Sequence, residues 1–405
     1  MAFFICIVME KYFLGTAIIM CVTGIIFLYY LLLNKLKTSG ISNGILTDSL
    51  NGDYLGMKLN YDDGLDCILV SIIVVARNEE NNILNLLECI NKQNYPKELI
   101  ELIVVDDCSE DSTFSLVERY SQKAQFRIEL LSLKHKPQNQ QNKKSGIAYA
   151  IDNANGDWVI CTDADCVMSS NWVKSFISYR QKTLAKLIIG PVQIIDNNSL
   201  LSKFQALDFT AMQAFTACSA SMKRAMLCNG ANLAYEKDLF IELNPYKNKV
   251  ISGDDMFLLH EAQKKYPESI YYLACRDSIV KTNACKTLVE FFNQRIRWGG
   301  KVKYFGHKMT VQVMLQLFLS NSSIVCFLIM GVLYSKIYLF FFLLFFYIKM
   351  LIDKSFMIPF IKFFRQSHLL SLFLTAQFIH LFYMFIMGLL SNVLPYRWKG
   401  RYRNV

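Results

Sequence analysis

The sequence predicts an α/β protein whose mostly parallel sheet lies between membrane-spanning helices at the two ends of the chain. Short β-rich runs alternate with helical patterns from about residue 67 to residue 300, as is typical of a parallel sheet with helices on both faces. Hydrophobic residues make up 53% of the 405 residues, and the excess over a soluble protein lies in uncharged blocks near the two ends. This length has room for one large domain or two.

The first apolar block covers residues 13–33 and carries no charge, and a bilayer-spanning helix needs roughly 20 such residues. A signal peptide is the alternative, but Glu10 interrupts the basic leader and no small-residue cleavage site follows. Lys35 and Lys37 favour a cytoplasmic location for the segment that follows. We interpret residues 1–36 as a transmembrane anchor and residues 37–66, rich in Gly, Asn, Ser and Asp, as a linker.

The middle region, residues 67–300, is predicted to form the α/β domain. Residues 67–76 (CILVSIIVVA) read as a buried strand, and Ile83, Leu86, Leu87 and Ile90 follow at helical spacing. Further predicted strands are 100–105, 126–131 and 158–162. Further predicted helices are 111–120, 145–153 and 255–265.

The C-terminal region, residues 301–405, contains three apolar blocks at 311–334, 337–351 and 369–394. Residues 353–368 mix basic and apolar side chains, a pattern that favours a helix lying in the membrane interface. One span before the domain and three after it would leave the basic residues at 397–403 outside, against the positive-inside rule. Either one C-terminal block does not cross the membrane, or the N-terminal segment is re-entrant.

Charge and cysteine content exclude several classes of protein. The net charge of +10 suits anionic lipid headgroups, and without a recognition motif it predicts no nucleic-acid partner. The 12 cysteines include no CxxC pair and no Cys/His spacing typical of zinc sites. They are expected to be reduced thiols in a cytosolic domain.

Polar residues stand at three successive strand ends, where parallel α/β sheets bind their ligands. These ends are Ala76-Arg77-Asn78-Glu79-Glu80, Asp106-Asp107 and Asp163-Ala164-Asp165. Helix capping by aspartate would explain one such end but not all three. The spacing of Asp163 and Asp165 lets both carboxylates approach one hard divalent cation.

Five separated motifs resemble those of family-2 glycosyltransferases of the GT-A fold. In order along residues 68–298, they are VSIIVVARNEENN, IVVDDCSEDST, NGDWVICTDADC, SGDD and QRIRW. The membrane-bound subgroup that includes cellulose and hyaluronan synthases and ceramide glucosyltransferases is the most similar. The resemblance implies a Rossmann-like GT-A domain.

The resemblance also implies roles for individual residues. Those implied to bind the UDP- or GDP-sugar donor are Ala76, Arg77, Glu79, Asp106, Asp107, Lys143, Asp163, Gln294, Arg297 and Trp298. Asp163 and Asp165 resemble the pair that holds Mg²⁺ or Mn²⁺, and Asp255 is the implied catalytic base. Asn232 and Asp254 are expected on the acceptor side. Asn142 stands where the family has a glycine before Lys143, a departure that bears on the local backbone.

The implied reaction is inverting transfer of a sugar by an integral, multi-pass membrane enzyme whose catalytic domain is cytoplasmic. A C-terminal region of about three helices favours a lipid or lipid-linked acceptor over a polymer channel, and a processive polysaccharide synthase is the alternative. A sugar nucleotidyltransferase would need a glycine-rich loop where residues 76–80 stand. A transporter would need more spans than the sequence offers.

Overall fold

A computed structural model describes residues 23–25, 27–35, 37–38, 66–137, 140–244, 254–391, 393–399 and 401–403. Most of the predicted linker and the first part of the predicted N-terminal span lie outside these residues. The side chain of Asp254 also lies outside the description, although its backbone begins a helix.

The strands form a large sheet, a small sheet and a terminal hairpin. They are β1 Val70–Ala76, β2 Ile100–Asp106, β3 Arg127–Ser132, β4 Trp158–Thr162, β5 Val167–Met168, β6 Leu187–Ile189, β7 Val192–Ile195, β8 Leu233–Glu236, β9 Ile270–Tyr272, β10 Val280–Asn283, β11 Tyr396–Trp398 and β12 Arg401–Arg403. The large sheet has the order β3-β2-β1-β4-β8-β6-β9, and the small sheet has the order β5-β10-β7. Strands β11 and β12 pair with each other.

The large sheet is mostly parallel, which confirms the predicted fold class. Strands β3, β2, β1 and β4 are parallel neighbours, and β8 alone runs antiparallel to both of its partners. Strands β2 and β4 are buried throughout and β1 almost throughout, as expected for a parallel sheet that is covered on both faces.

Helices connect the strands and pack on the sheet. In the α/β region they are α2 Ile83–Asn91, α3 Thr113–Ser121, α4 Lys143–Asn153, α5 Trp172–Thr183, α6 Leu200–Ser221, α7 Lys237–Leu243, α8 Asp254–Lys265 and α9 Leu288–Gly299. The four apolar residues predicted to form the inner face of α2 are all buried. A shorter apolar helix near the N-terminus, α1, spans Thr23–Lys35.

Three long helices follow α9: α10 Lys308–Leu333, α11 Ile337–Phe363 and α12 Phe373–Leu390. By length and composition, two helical segments among the described residues are able to cross a membrane, Lys308–Leu333 and Ser367–Leu390. Their exposed residues include large apolar side chains such as Leu315, Val332 and Leu374.

The prediction of a separate interfacial helix over residues 353–368 is wrong. A single helix, α11, runs through both the second apolar block and most of this segment. Lys349 and Asp353 lie one turn apart in α11, are buried, and pair at 2.5 Å. Each charge offsets the other, so both can be buried. The helix therefore continues from the apolar block 337–351 into the segment where basic and apolar residues are mixed. The Tyr29 hydroxyl of α1 donates to the same Asp353 carboxylate, so α1 packs against α11.

Helices α11 and α12 both pack against the α/β region, and α11 does so through α6. Helix α12 packs against α10 and also contacts α6 and α9. The Tyr383 ring contacts Phe204 of α6 and Phe291 of α9 at 5.7 and 5.5 Å between centroids. A β-carbon at Gly299 would lie 2.7 Å from Ser391, so the end of α9 approaches the end of α12 too closely for a larger residue. The chain that follows α12 therefore lies beside the α/β region, next to the end of α9.

Candidate active site

A cleft of about 740 Å³ opens at the carboxyl ends of β1, β2 and β4. It lies where parallel α/β sheets place their ligands. The predicted site residues that line it are Ala76, Arg77, Glu79, Asp107, Lys143, Asp163, Asp165, Asp255, Gln294, Arg297 and Trp298. The fold therefore brings residues from all five sequence motifs to one cavity.

The ends of β1 and β2 are joined by the Arg77 side chain. Its guanidinium donates to the backbone carbonyls of Asp107 and Cys108 at 2.8 and 2.7 Å, and it pairs with Glu110 at 2.9 Å. Asn78 and Cys108 both adopt left-handed backbone conformations, with φ of 52° and 57°. These contacts hold two tight strand-end turns side by side, and the turns form one wall of the cleft.

Asp163 and Asp165 lie at the end of β4. Lys143, at the start of α4, forms an ion pair with Asp163. Burial acts to raise the pKa of Asp163, but the positive charge of Lys143 beside it holds that pKa below its ordinary value. The pKa of Asp165 is raised by burial and by the negative charges of Asp163 and Glu79.

The Asp163–Asp165 pair suits a hard divalent cation. Two carboxylates crowd at the edge of the cleft, and a cation would relieve the repulsion that raises the pKa of Asp165. In the part of the chain that the structure describes, no group of three or more His, Cys, Asp or Glu side chains is arranged to hold a metal. Two protein ligands are consistent with a cation whose remaining positions are filled by phosphate oxygens and water.

The backbone before Lys143 does not require the glycine that the family has at this position. Asn142 is extended, with φ of −163°, a conformation that any residue adopts. Its side chain accepts a hydrogen bond from Ser145 N at 3.0 Å and caps α4. Asparagine thus replaces glycine here without strain, and Lys143 is still directed to Asp163.

Asp255 lies in the first turn of α8 and lines the cleft. Its carboxylate accepts hydrogen bonds from Gly230 N and Met256 N, both at 2.9 Å. Two donors fix the orientation of the carboxylate, and an ionised carboxylate has about four acceptor positions, so capacity for a ligand hydroxyl is left. Gly230 belongs to the segment 229–231, which also lines the cleft.

Helix α9 carries the QRIRW motif and presents two faces. Gln294, Arg297 and Trp298 line the cleft. Arg295 points away from it, is buried, and pairs with Asp208 of α6 at 2.8 Å. The Arg295 guanidinium also lies 4.4 Å from the centroid of the Trp298 ring, a distance typical of a cation–π contact. The buried pair thus supports the tryptophan that faces the cleft.

Two predicted residues do not line the cleft. Asn232 is fully buried, and its amide donates to the carbonyls of Pro191 and Ser278 and accepts from the Trp172 indole. These bonds hold the Asn232 side chain in the interior, outside the lining of the cleft, and its acceptor-side role stays a prediction. Asp106 is buried behind the cleft, and its carboxylate accepts from Ser109 N.

Lys399 is a cleft residue that motif analysis does not identify. It lies between β11 and β12 and reaches Glu79 across the cleft, with 2.5 Å between Nζ and Oε1. The basic C-terminal residues were visible in the sequence, but nothing local indicated that they return to the end of β1.

Comparison with known proteins assigns the class of this α/β domain. Residues 71–240 match the family described as Glycosyl transferase family 2. The mannosyltransferase PcManGT from Pyrobaculum calidifontis, solved with GDP-Man and Mn²⁺, has a similar fold, with a TM-score of 0.55. The similarity covers 91% of this chain and 97% of PcManGT, at 15% sequence identity.

Curated relatives agree with this class. Glycosyltransferase AglE of Haloferax volcanii is 25% identical over 230 residues, which are 57% of this chain and 71% of AglE. UDP-Glc:alpha-D-GlcNAc-diphosphoundecaprenol beta-1,3-glucosyltransferase WfgD of Escherichia coli is 31% identical over 142 residues. That match covers 35% of this chain and only about half, 53%, of WfgD. The α/β region of the chain, residues 71–240, is thus similar to the family-2 glycosyltransferases.

Proposed function

We propose that the protein transfers a sugar, with inversion, from a nucleotide-sugar to a lipid or lipid-linked acceptor at the cytoplasmic face of a membrane. The observation that carries this proposal is that one cleft holds the Asp163–Asp165 pair, Lys143, Arg297 and the separate carboxylate of Asp255. Such a cleft provides positive charge for a diphosphate and a base for an acceptor hydroxyl.

In the proposed reaction, Asp255 accepts the proton of the acceptor hydroxyl as its oxygen attacks the anomeric carbon of the donor. The bond from that carbon to the diphosphate oxygen breaks, and the nucleoside diphosphate leaves from the opposite side. A positioned base contributes typically about 10²–10⁴-fold. Lys143 and Arg297 offset the charge that develops on the leaving group. When bound at Asp163 and Asp165, Mg²⁺ or Mn²⁺ supplies further positive charge to the diphosphate.

The surroundings of the cleft support an amphiphilic acceptor. Ile194, Phe209 and Trp298 line it, and the rings of Phe209 and Trp298 lie 6.1 Å apart. The helices that carry the two aromatic residues, α6 and α9, pack against the apolar helix α12. We therefore expect an acceptor with a long apolar tail to bind with its hydroxyl in the cleft and its tail toward the C-terminal helices. The name of the relative WfgD also specifies a lipid-linked substrate.

The assay for this function uses membranes from cells that express the protein. Incubated with Mn²⁺ and a panel of radiolabelled UDP- and GDP-sugars, they are expected to transfer label from one donor to material that partitions into organic solvent. Membranes that carry the Asp255→Asn chain are the matched control and are expected to show no transfer above background. Label in a long water-soluble polymer would contradict the lipid acceptor and favour the processive synthase.

The path of the chain after α9 supports two crossings of the membrane rather than three. The end of α11 returns to the α/β domain, where Arg276 and Gln193 donate to the carbonyls of Phe363 and Phe364 at 3.2 and 3.1 Å. Lys399, after α12, lies in the same cleft as the motif on α9. An even number of crossings separates two points on one side of a membrane. We therefore assign the crossings to α10 and to α11, whose Lys349 and Asp353 pair with each other. The segment Ser367–Leu390, which contains α12, is also long and apolar enough to cross, but the chain lies beside the α/β domain both before and after it, so we place it along the interface. This arrangement keeps the basic residues 397–403 cytoplasmic.

This topology predicts that the turn between α10 and α11 is extracytoplasmic. A cysteine placed at the exposed Ser335 is expected to react with a membrane-impermeant maleimide in intact cells, because the turn would lie outside. A cysteine at the exposed Val393 is expected to react only after lysis. The wild-type chain measures the background from native cysteines. Labelling of Val393→Cys before lysis would contradict the assigned topology.

A further inference from the structure

The last described residues of the chain form a hairpin over the cleft. Tyr396 pairs with Arg403 and Trp398 with Arg401, and Lys399 directly follows β11 at the tip of the hairpin. Tyr396 is buried and packs with Ile296 of α9 and Met387 of α12. The hairpin is therefore anchored on the helix that carries QRIRW.

Lys399 adopts a backbone conformation that its residue type disfavours. Its φ is 46°, in the left-handed region that Gly, Asn and Asp adopt more readily than lysine. A lysine in this conformation raises the question of what its side chain does.

The Lys399 residue contacts the donor end of the cleft through both its side chain and its backbone. The Nζ atom pairs with Glu79, and the carbonyl accepts from Arg77 Nε at 3.3 Å. Both partners belong to the turn that follows β1. Lys399 lines the same cleft as Asp163, Asp165 and Arg297. It therefore lies in the cavity that holds the residues that would bind a diphosphate and its cation.

We propose that Lys399 is a donor-binding residue, which leaves Glu79 and pairs with the diphosphate when the nucleotide-sugar binds, so that the hairpin closes the donor site. This inference rests on the proposed function, since it requires a nucleoside diphosphate in the cleft. A diphosphate carries more negative charge than one carboxylate, and its oxygens are stronger partners for an ammonium group. The hairpin would then link donor binding to α9 and α12 through Tyr396.

The test compares the binding of phosphorylated and unphosphorylated ligands by the purified full chain. In the presence of Mn²⁺, Lys399→Gln is expected to weaken the binding of UDP or GDP about 10-fold in calorimetry, as expected for one lost charged hydrogen bond. The affinity for uridine or guanosine, measured by ligand-observed NMR, is expected to be unchanged. Lys399→Arg is expected to retain most of the diphosphate affinity, because it keeps the charge.

Lys303→Gln is the matched control, because Lys303 is exposed and does not line the cleft. It is expected to bind UDP or GDP as the wild type does. Wild-type or tighter binding of UDP or GDP by Lys399→Gln would overturn the inference. A loss of affinity for uridine or guanosine equal to the loss for UDP or GDP would also overturn it, because the hairpin would then only shape the cleft. A wild-type chain that bound neither UDP nor GDP would instead overturn the proposed function itself.

Discussion

Asp255→Asn is expected to lower kcat by about 10²-fold or more and to leave the Kd for UDP or GDP within a few-fold. Asparagine has the size of aspartate and retains one oxygen that can accept from Gly230 N or Met256 N, the two donors that hold the carboxylate. The amide does not accept the proton of an attacking hydroxyl. The loss should therefore fall on the chemical step and not on donor binding.

Initial rates at saturating donor, together with calorimetric titration of UDP or GDP, separate these two effects. Asp238→Asn is a matched control, since Asp238 also lies in the first turn of a helix, α7, and does not line the cleft. It is expected to turn over at the wild-type rate. Turnover of Asp255→Asn within tenfold of wild type would remove Asp255 from the role of base, because a lost base costs about 10² or more.

The sequence was most informative about the parallel half of the sheet. Strands β1, β2 and β4 are runs of apolar, mostly β-branched residues, and burial on both faces makes such runs easy to recognise. Polar residues follow each of these runs directly, so their position at one sheet edge followed from the strand predictions. The cleft confirms that Asp107, Asp163 and Asp165 come together.

The other half of the large sheet was not predicted. Strands β6, β8 and β9 have only three or four residues each, too few for a period to be visible. Asn232 immediately precedes β8, and its burial depends on how β8 fits between β4 and β6. Its position two residues after Gly230 in the sequence suggested a shared role in the cleft. In the structure, Gly230 lines the cleft, whereas the Asn232 side chain points into the protein interior.

Contacts between residues far apart in sequence explain the remaining differences. The pair between Arg295 and Asp208 joins two helices, and periodicity indicates which face of a helix is apolar but not which charge it meets. The contact between Lys399 and Glu79 spans 320 positions of the chain. The sequence left the membrane side of the basic C-terminal residues open, because the predicted number of spans conflicted with the positive-inside rule. The packing of α12 against α9, and of β11 against α9, brings the chain after α12 back to the α/β region.

Asp165→Ala is expected to weaken the binding of UDP or GDP in Mn²⁺ by at least about 10-fold, the lower end of the cost of disturbing a metal site. It is also expected to abolish the difference between titrations in Mn²⁺ and in EDTA. The physical reason is that Asp163 already pairs with Lys143, so the Asp165 carboxylate is the larger part of the negative charge left for a cation. Its pKa, raised by burial and by the charges of Asp163 and Glu79, reflects the repulsion that a cation would relieve.

Thr282→Val provides the matched control for this metal site. The Thr282 hydroxyl donates to Asp165 at 3.1 Å, so valine removes a contact that orients the carboxylate and leaves both carboxylates in place. If Asp165 acts as a metal ligand, this variant should keep its dependence on Mn²⁺ and lose less affinity than Asp165→Ala. If Asp165 only stabilises the end of β4, the two variants should lose stability in thermal unfolding and bind the nucleotide alike in Mn²⁺ and EDTA. Full wild-type transfer activity in EDTA would contradict the metal assignment directly. Without a cation, the carboxylates of Asp163 and Asp165 would repel the diphosphate of the donor.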